Sequence, residues 1–285
     1  MKLNYITVVF RDEIEFLKIQ ARSFVHYVND VETVTIVIND EDAVADLIDT
    51  AWYGAYQDRV QIICKSKWNY ISRVNGWEEQ QLCKLLAGAE ATTDWSVVLD
   101  AKTWFVQPLD LDRLFDSQGR ARSGRVGIFH HFEESQQFVE NHFGITFDQM
   151  LGPGGVPFIF HTQEVQELVA SQTDFADFFQ TAVRYPHLVN EFHLYAAYVL
   201  SKHKTYDVLY NPESGYSPAH CAQWGLADFD QWFRHQITNN KNYLPTASIH
   251  RKLYSQLSPE QLQFWNQFLV SKNLLDSGEF FNFAK

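Results

Sequence analysis

The sequence predicts an α/β fold in which a mixed, mostly parallel sheet is flanked by helices and followed by a helical C-terminal extension. Two observations carry this prediction. Segments of strand type and segments of helical periodicity alternate from the first residues onward. The strand segments are also rich in β-branched and aromatic residues, as buried strands are. Alternation of this kind is typical of parallel sheets that helices cover.

The first half of the chain carries most of the predicted sheet. Predicted strands span 5–10, 31–40, 60–64 and 95–100, and predicted helices span 12–28, 43–52 and 77–91. Asp12 and Glu13 suit a helix start, because negative charge is favourable at a helix N-terminus. The last of these helices places Leu82, Leu85 and Leu86 on an apolar face.

The second half is less regular. A Gly/Pro loop at 151–160 leads into a short strand, helices are predicted at 162–171, 173–183 and 189–202, and an edge strand at 204–210. The aromatic-rich segment from about 225 is predicted to be helical. Its last helix opens with Ser258 as N-cap, Pro259 at the first helical position and Gln261 three residues after the serine. With no linker or repeat, a single domain spanning 1–285 is expected.

Composition restricts the function classes. The 285 residues include 23 Lys and Arg against 35 Asp and Glu, a formal charge of −12. General binding to nucleic acid or anionic membranes requires a basic surface, so neither is expected. Only three cysteines occur, and no stretch approaches the ~18 apolar residues of a membrane span. These features predict a cytoplasmic protein without disulfides or a membrane span.

Polar clusters follow three predicted strands, where ligands bind in open α/β sheets. They are Arg11-Asp12-Glu13, the run 39–42 that begins with Asn39 and Asp40, and Asp100-Ala101-Lys102. Each cluster alone could simply cap the following helix. The coincidence of three favours a ligand site.

The helix at 77–91 adds a polar sector. At ~100° per residue, Trp77, Gln80, Gln81 and Lys84 share one side of this helix. A flat aromatic ring, two amides and an ammonium group could bind a base, a ribose and a phosphate. A solvated face with a half-buried tryptophan is the alternative.

Several of these segments together resemble a known family. TVVF with its acidic turn, FLKIQARSF, TIVIND and GWEEQQLCKLLAGAEATTDWSVVLDAKTWFVQPLD are similar to the donor-binding half of GT-A-fold glycosyltransferases. The resemblance covers residues 3–110, and extends more loosely through GPGGVPFIFHTQEV, NEFHLYAAYV and SIHRK to about 252. It implies a Rossmann-like GT-A fold with a donor half at 1–110, an acceptor half at 111–252 and a helical extension at 253–285.

The resemblance also implies roles for individual residues. The nucleotide-sugar donor, a UDP-sugar in our interpretation, would contact residues from four segments, and His250 and Lys252 would close over its diphosphate. The expected donor-binding residues are Arg11, Asp12, Asn39, Asp40, Trp77, Gln80, Gln81, Lys84, Asp100, Ala101, Lys102, His250 and Lys252. Asp100 would contact ribose or sugar, and Lys102 the diphosphate.

One departure from the family pattern concerns the metal. The family's DxD element would fall at Asp100-Ala101-Lys102, where its metal-binding last aspartate is replaced by Lys102. A protonated lysine cannot ligate Mn²⁺ or Mg²⁺, but its ammonium group can pair with the diphosphate directly. We therefore expect no required metal, while a decayed enzyme in which Lys102 pairs with a neighbour is the alternative. Asp110-Leu111-Asp112 also spells DxD and is interpreted as a helix cap.

The acceptor side offers one candidate base. Glu191 opens a predicted helix that carries Tyr195 and Tyr198, and it could deprotonate an acceptor hydroxyl. An interaction of Glu191 with the helix dipole is an equally weighted alternative. We expect Trp224 or Trp232 to stack on a carbohydrate acceptor, and Gly152, Gly154 and Gly155 to shape a loop near it. His130, His131 and His161 lack the spacing of metal ligands.

The sequence thus predicts a hexosyltransferase-type glycosyltransferase with a glycan acceptor. The first alternative is a catalytically inactive nucleotide-sugar or glycan-binding protein derived from such an enzyme. A nucleotidyltransferase would carry a Gly-rich basic loop after the first strand, which FRDEIEF does not resemble. A glycoside hydrolase would need two carboxylates facing one another, a pair that sequence cannot establish.

Overall fold

A computed structural model gives the fold of the chain. It describes residues 1–127, 133–146, 148–152, 156–216, 219–221, 230, 234, 237, 245–279 and 281. His130, His131, Gly154, Gly155, Trp224 and Trp232 lie outside the described residues, so their predicted roles stay predictions. In this part of the chain no helix is long and apolar enough to cross a membrane.

The central sheet of the described residues has five strands, in the order β3-β2-β1-β4-β9. The strands β1 to β4 are parallel, and β9 is antiparallel to β4. Their bounds are Leu3–Val9 (β1), Val31–Ile38 (β2), Val60–Cys64 (β3), Trp95–Asp100 (β4) and Phe158–His161 (β9). The predicted mixed, mostly parallel sheet flanked by helices is confirmed.

The long helices cover this sheet on two faces. The helix α1 packs on the face that carries Tyr5 and Thr7, where the Thr7 hydroxyl donates to Gln20 Oε1 at 2.9 Å. The helix α2 covers the other face, and Ala87 near its end lies beside Asn4. All seven residues of β1 are buried, which explains why this strand shows no alternation of polar and apolar residues. The helices are α1 (Ile14–Tyr27), α2 (Gly76–Ala89), α3 (Leu111–Leu114), α4 (Glu133–Phe143), α5 (Thr162–Ala170), α6 (Phe175–Ala182), α7 (Glu191–His203), α8 (Arg251–Tyr254) and α9 (Pro259–Ser271).

A smaller sheet brings the end of the chain back to the first half. Here β12 runs antiparallel to β5, with Ser248 opposite Thr103. Residue 250 therefore lies near Lys102, although about 150 positions separate them in sequence. The minor strands are β5 (Thr103–Phe105), β6 (Ala121–Arg122), β7 (Arg125–Gly127), β8 (Gln149–Leu151), β10 (Tyr210–Asn211), β11 (Ala219–Cys221) and β12 (Thr246–Ile249).

Two predicted elements differ from the structure. The segment 43–52 is helical, but it forms 3₁₀ turns over Asp42–Leu47 and Thr50–Arg59, interrupted where Gly54 adopts φ +54°. The prediction of an edge strand at 204–210 is wrong. Tyr206 and Tyr210 are both buried four residues apart, and the Tyr210 N–H donates to the Tyr206 carbonyl at 2.8 Å, so the chain turns there. Only Tyr210–Asn211 is a strand.

The cap predicted for the last helix is confirmed. The Ser258 side chain accepts from the Gln261 N–H, and the Gln261 side chain accepts from the Ser258 N–H, which is the reciprocal capping box. Asp110 likewise caps the short helix α3 by accepting from the Asp112 N–H at 3.0 Å, as predicted for this second DxD sequence.

Candidate active site

The candidate site lies at the carboxyl ends of β1 and β4. The strands lie in the order 3-2-1-4, so the chain adds β2 and β3 on one side of β1 and β4 on the other side. Open α/β sheets bind their ligands at such a switch point. After β1 the chain forms a 3₁₀ turn, Arg11–Glu13, and β4 ends at Asp100. The structure thus places two of the predicted polar clusters side by side.

Four charged side chains form a continuous buried chain here, which we call the lysine–carboxylate cluster: Lys84, Asp100, Lys102 and Glu191. Lys84 Nζ lies 2.9 Å from both Asp100 Oδ1 and Glu191 Oε1. Lys102 Nζ donates to Asp100 Oδ2 at 3.0 Å. The Lys84 and Glu191 side chains are each 4% exposed and so are shielded from bulk water, whereas the Lys102 and Asp100 side chains are 11% and 17% exposed.

The N-terminal caps of α2 and α7 help to position two members of the cluster, Lys84 and Glu191. Asn75 caps α2 by accepting from the Glu78 N–H, and the Glu78 side chain accepts in return from the Asn75 N–H. Lys84 follows two turns later and points toward the sheet. Asn190 caps α7 by accepting from the His193 N–H at 2.8 Å, which places Glu191 at the first helical position.

The electrostatics of the cluster keep its central groups charged. Burial alone would raise the pKa of Asp100, but the ammonium groups of Lys102 and Lys84 outweigh it and hold this pKa far below its usual range. Burial alone would lower the pKa of Lys84, but the carboxylates of Asp100 and Glu191 raise it above its ordinary value. Asp100 and Lys84 therefore stay ionised through the physiological pH range.

The rim of the site carries four of the predicted residues: Arg11, Asp12, His250 and Lys252. Arg251 Nη1 donates to Asp12 Oδ2 at 2.9 Å, which joins the turn after β12 to the turn after β1. His250 caps α8 by accepting at Nδ1 from the Lys252 N–H at 3.2 Å, while the Lys252 side chain is exposed. Arg11 donates its backbone N–H to Asp40 Oδ2 at 3.0 Å, and this bond holds the pKa of Asp40 below its usual range.

Asn39 is more deeply buried than Asp40 and Glu41, which follow it. Its side chain is buried and donates to the Gly76 carbonyl at 2.8 Å, which attaches the end of β2 to the start of α2. The arrangement fixes α2, and therefore Lys84, relative to the sheet.

The predicted polar sector of α2 is only partly exposed. Trp77 is 57% exposed, Gln80 is half-buried, and Gln81 is 2% exposed. Within the described part of the chain Gln81 Oε1 is buried without a hydrogen-bond partner, although the amide nitrogen of Gln81 lies 3.4 Å from the Trp77 carbonyl. Lys84 turns away from this surface into the cluster, where it meets Asp100 and Glu191.

The donor set at Asp100 does not fit Mn²⁺ or Mg²⁺. Both carboxylate oxygens lie within 3.0 Å of an ammonium nitrogen, and Ala101 contributes no ligand. Hard divalent cations require several oxygen ligands. Across the residues that the structure describes, no group of three or more His, Cys, Asp and Glu side chains is placed to hold a metal ion.

Comparison with known proteins adds a family. A family model described as a family of unknown function (DUF6492) matches residues 5–276. The chain belongs to this family. No curated protein matches the sequence.

Similar solved structures come from several sources. One is the galactosyltransferase LgtC in complex with donor and acceptor sugar analogs (11% identity, 96% of this chain and 97% of that chain, TM-score 0.46). A second is the glycosyltransferase GlyE of Streptococcus pneumoniae TIGR4 (12%, 96% and 62%, 0.46). A third is mouse xyloside xylosyltransferase 1 (8%, 89% and 99%, 0.44). At these identities and scores no activity is carried over to this chain.

Two residues of the site were not among the expected donor-binding residues, although both lie in segments that the sequence singled out. Glu13 is only 8% exposed, and its charge interacts with Lys102, Asp100 and Arg251. Burial raises the pKa of its carboxyl, although the ammonium group of Lys102 opposes this. Arg251, between the two predicted residues His250 and Lys252, is the one that reaches Asp12. The available signal for Glu13 was its place in the polar cluster that follows the apolar strand β1.

Proposed function

We propose that this protein is a glycosyltransferase that moves a hexosyl group from a UDP-sugar to a carbohydrate acceptor without an essential metal. The observation that carries the proposal is Lys102. Its ammonium group lies at the carboxyl end of β4, at the switch point of the sheet, where the GT-A resemblance expects a metal-binding aspartate.

The donor diphosphate would bind between the ends of β1, β4 and β12. Lys102 supplies a positive charge at the end of β4, and Arg251 supplies a guanidinium group that can bind two phosphate oxygens. The present partner of Arg251, Asp12, has a side chain that is 68% exposed. Exposed ion pairs contribute little stability, so a diphosphate can displace Asp12 from Arg251 at low cost.

The reaction breaks the bond between the sugar C1 and the diphosphate oxygen and forms a bond from C1 to an acceptor hydroxyl oxygen. The leaving nucleoside diphosphate carries off the bonding electrons as added negative charge, which Lys102 stabilises. The acceptor proton passes to a carboxylate, for which Glu191 is the candidate, and then to solvent. Lys84 helps to keep Asp100 ionised and fixes the spacing of Asp100 and Glu191.

One observation favours the inactive binding protein as a second candidate. Glu191 is 3% exposed and its Oε1 is already engaged by Lys84. Burial of this carboxylate restricts the access of an acceptor hydroxyl to it. Binding of a nucleotide sugar without turnover is the outcome expected of this second candidate.

Thermal-shift titration in EDTA tests the donor site first. UDP, GDP, CMP and UDP-hexoses are titrated with and without Mn²⁺. A ligand at ~100 times its Kd stabilises by about 2.7 kcal/mol, equivalent to several degrees in Tm. The proposal predicts stabilisation by UDP in EDTA that Lys102→Met abolishes and that Lys18→Met, an exposed lysine on α1, leaves unchanged.

Turnover is measured separately as UDP release from UDP-glucose and UDP-galactose with a panel of oligosaccharide acceptors. Release that depends on acceptor and on Glu191 supports transfer. UDP binding without any release supports the binding protein instead. Stabilisation that appears only with Mn²⁺ contradicts the role of Lys102, and no response to any nucleotide contradicts both functions.

A further inference from the structure

A row of polar side chains lies at the opposite end of the central sheet, where the strands β1, β2 and β3 begin. The parallel register places Asn4 beside Thr33, and Thr35 beside Gln61. Thr33 and Thr35 are two residues apart and so share a face of the sheet. The result is a row of amides and hydroxyls on the α2 face, in strands whose later residues on that face are apolar, such as Val8 and Val37.

These side chains line a cavity. Its volume is about 360 Å³, within the range of small-molecule sites. The remaining walls come from β3, from the end of α2 and from the loops that follow them. The lining residues beyond the polar row are Ile62, Ile63, Lys67, Ala87, Glu90, Ala91 and Thr92. Gln61, Lys67 and Thr92 are exposed, so the cavity opens to solvent on that side.

Asn4 carries a buried side-chain amide among the lining residues. Its side chain is 2% exposed, and its Oδ1 is buried without a hydrogen-bond partner among the residues that the structure describes. A buried polar atom of this kind is costly unless a water or a ligand satisfies it. Its backbone N–H is already used, donating to Thr93 Oγ1 at 3.1 Å.

The chemistry of the lining defines the ligand class. Hydroxyls and amides both donate and accept, and Ile62, Ile63 and two alanines add apolar surface. The charges cancel, because Lys67 Nζ donates to Glu90 Oε2 at 2.6 Å. An anion would find no free cation among these lining residues, whereas a neutral molecule with several hydroxyls and an apolar face would match them.

We propose that this cavity is a second binding site, which takes a neutral sugar ring and hydrogen-bonds its hydroxyls to the side chains of Thr33, Thr35 and Gln61. The site is separate from the lysine–carboxylate cluster. Asn4 is paired with Ser96, four residues before Asp100 on β4, or about 13 Å along the strand at ~3.3 Å per residue. The proposal does not depend on glycosyl transfer.

Amide chemical shifts locate the binding. The ¹⁵N-labelled protein is titrated with D-glucose, D-galactose and lactose, with sodium phosphate as the anionic comparison. We expect saturable shifts at Thr33, Gln61 and Thr92 with at least one sugar and none with phosphate. Shifts confined to residues 11–13 and 100–102 would place sugar only in the other site and overturn the proposal, as would the absence of any shift.

Two variants test the cavity itself. Ala91→Phe fills the space and should weaken the binding at least tenfold, while Ala170→Phe at the exposed end of α5 should leave it unchanged. Thr35→Val removes one hydroxyl with little change in shape and should weaken binding severalfold, which keeps the test open if Ala91→Phe is unstable. Binding that both lining variants leave at the original affinity would refute the proposal.

Discussion

Replacing Lys84 by methionine would leave two buried carboxylates facing one another. Asp100 Oδ1 and Glu191 Oε1 are each 2.9 Å from Lys84 Nζ, so they are at most 5.8 Å apart. At an effective dielectric constant of ~20, two negative charges at this distance repel by about 3 kcal/mol. Removal of one member of a buried ion pair costs about 3–5 kcal/mol in measured cases. We expect a loss in this range at pH 7.

The loss is measured as a shift in thermal midpoint. At ~2–4 °C per kcal/mol for a chain of this size, Lys84→Met should lower Tm by roughly 6–20 °C. Lys18→Met is the matched control, because Lys18 pairs with Glu15 at 2.6 Å but is 40% exposed. Such exposed pairs contribute at most about 1 kcal/mol.

The folding stability of the Lys84→Met variant should increase as the pH falls. Without Lys84, one of the two carboxyls has its pKa raised by its neighbour's charge. A carboxyl with a raised pKa in the folded state contributes stability at low pH that is lost as pH rises. Lys84→Met should therefore gain stability between pH 7 and about pH 5, and Lys84→Met/Glu191→Gln should recover part of the loss at pH 7. An unchanged Tm with an unchanged pH profile would refute the charge-coupling argument.

Three further predictions concern single residues. Asp100→Asn should destabilise most at neutral pH and progressively less as pH falls below about 4, because a depressed pKa contributes stability above the unfolded value of ~3.9; denaturation at several pH values measures this. Ser258→Ala should cost about 1 kcal/mol through its lost helix cap, and an unchanged urea midpoint would contradict it. Gly76→Ala should destabilise, because its Cβ would lie 2.9 Å from Phe10 Cε1; Gly76→Ala with Phe10→Leu should recover stability.

The sheet could be predicted because its strands are signalled locally. The segments 60–64 and 95–100 match the structure at both ends, since each is an apolar, β-branched run with polar residues or turns on both sides. The segment 204–210 misled for the same reason. Its aromatic and apolar residues resemble a strand. The chain instead turns between Tyr206 and Tyr210, and tertiary packing buries both side chains, which the local sequence pattern does not reveal.

The charged site could be predicted only in part. Lys84, Asp100, Lys102 and Glu191 were all candidates, because each follows a strand or lies on a helix near one. Their pairing could not be predicted, since Lys84 and Glu191 are 107 positions apart. The expectation that Lys84 contacts the donor stays a prediction, although its ammonium group lies between two carboxylates.

The antiparallel pairing of β12 with β5 has a consequence for synthesis on the ribosome. Arg251 must emerge before it can join the turn after β1, and it is translated 151 residues after Asp100. At ~5–20 residues per second this interval is roughly 8–30 s. During that time the nascent first half can form its parallel strands, but the ends of β1 and β4 lack their last cationic neighbour. The proposed donor site is therefore assembled late, and a growing chain would not bind a nucleotide sugar in its final manner until Arg251 has left the ribosome.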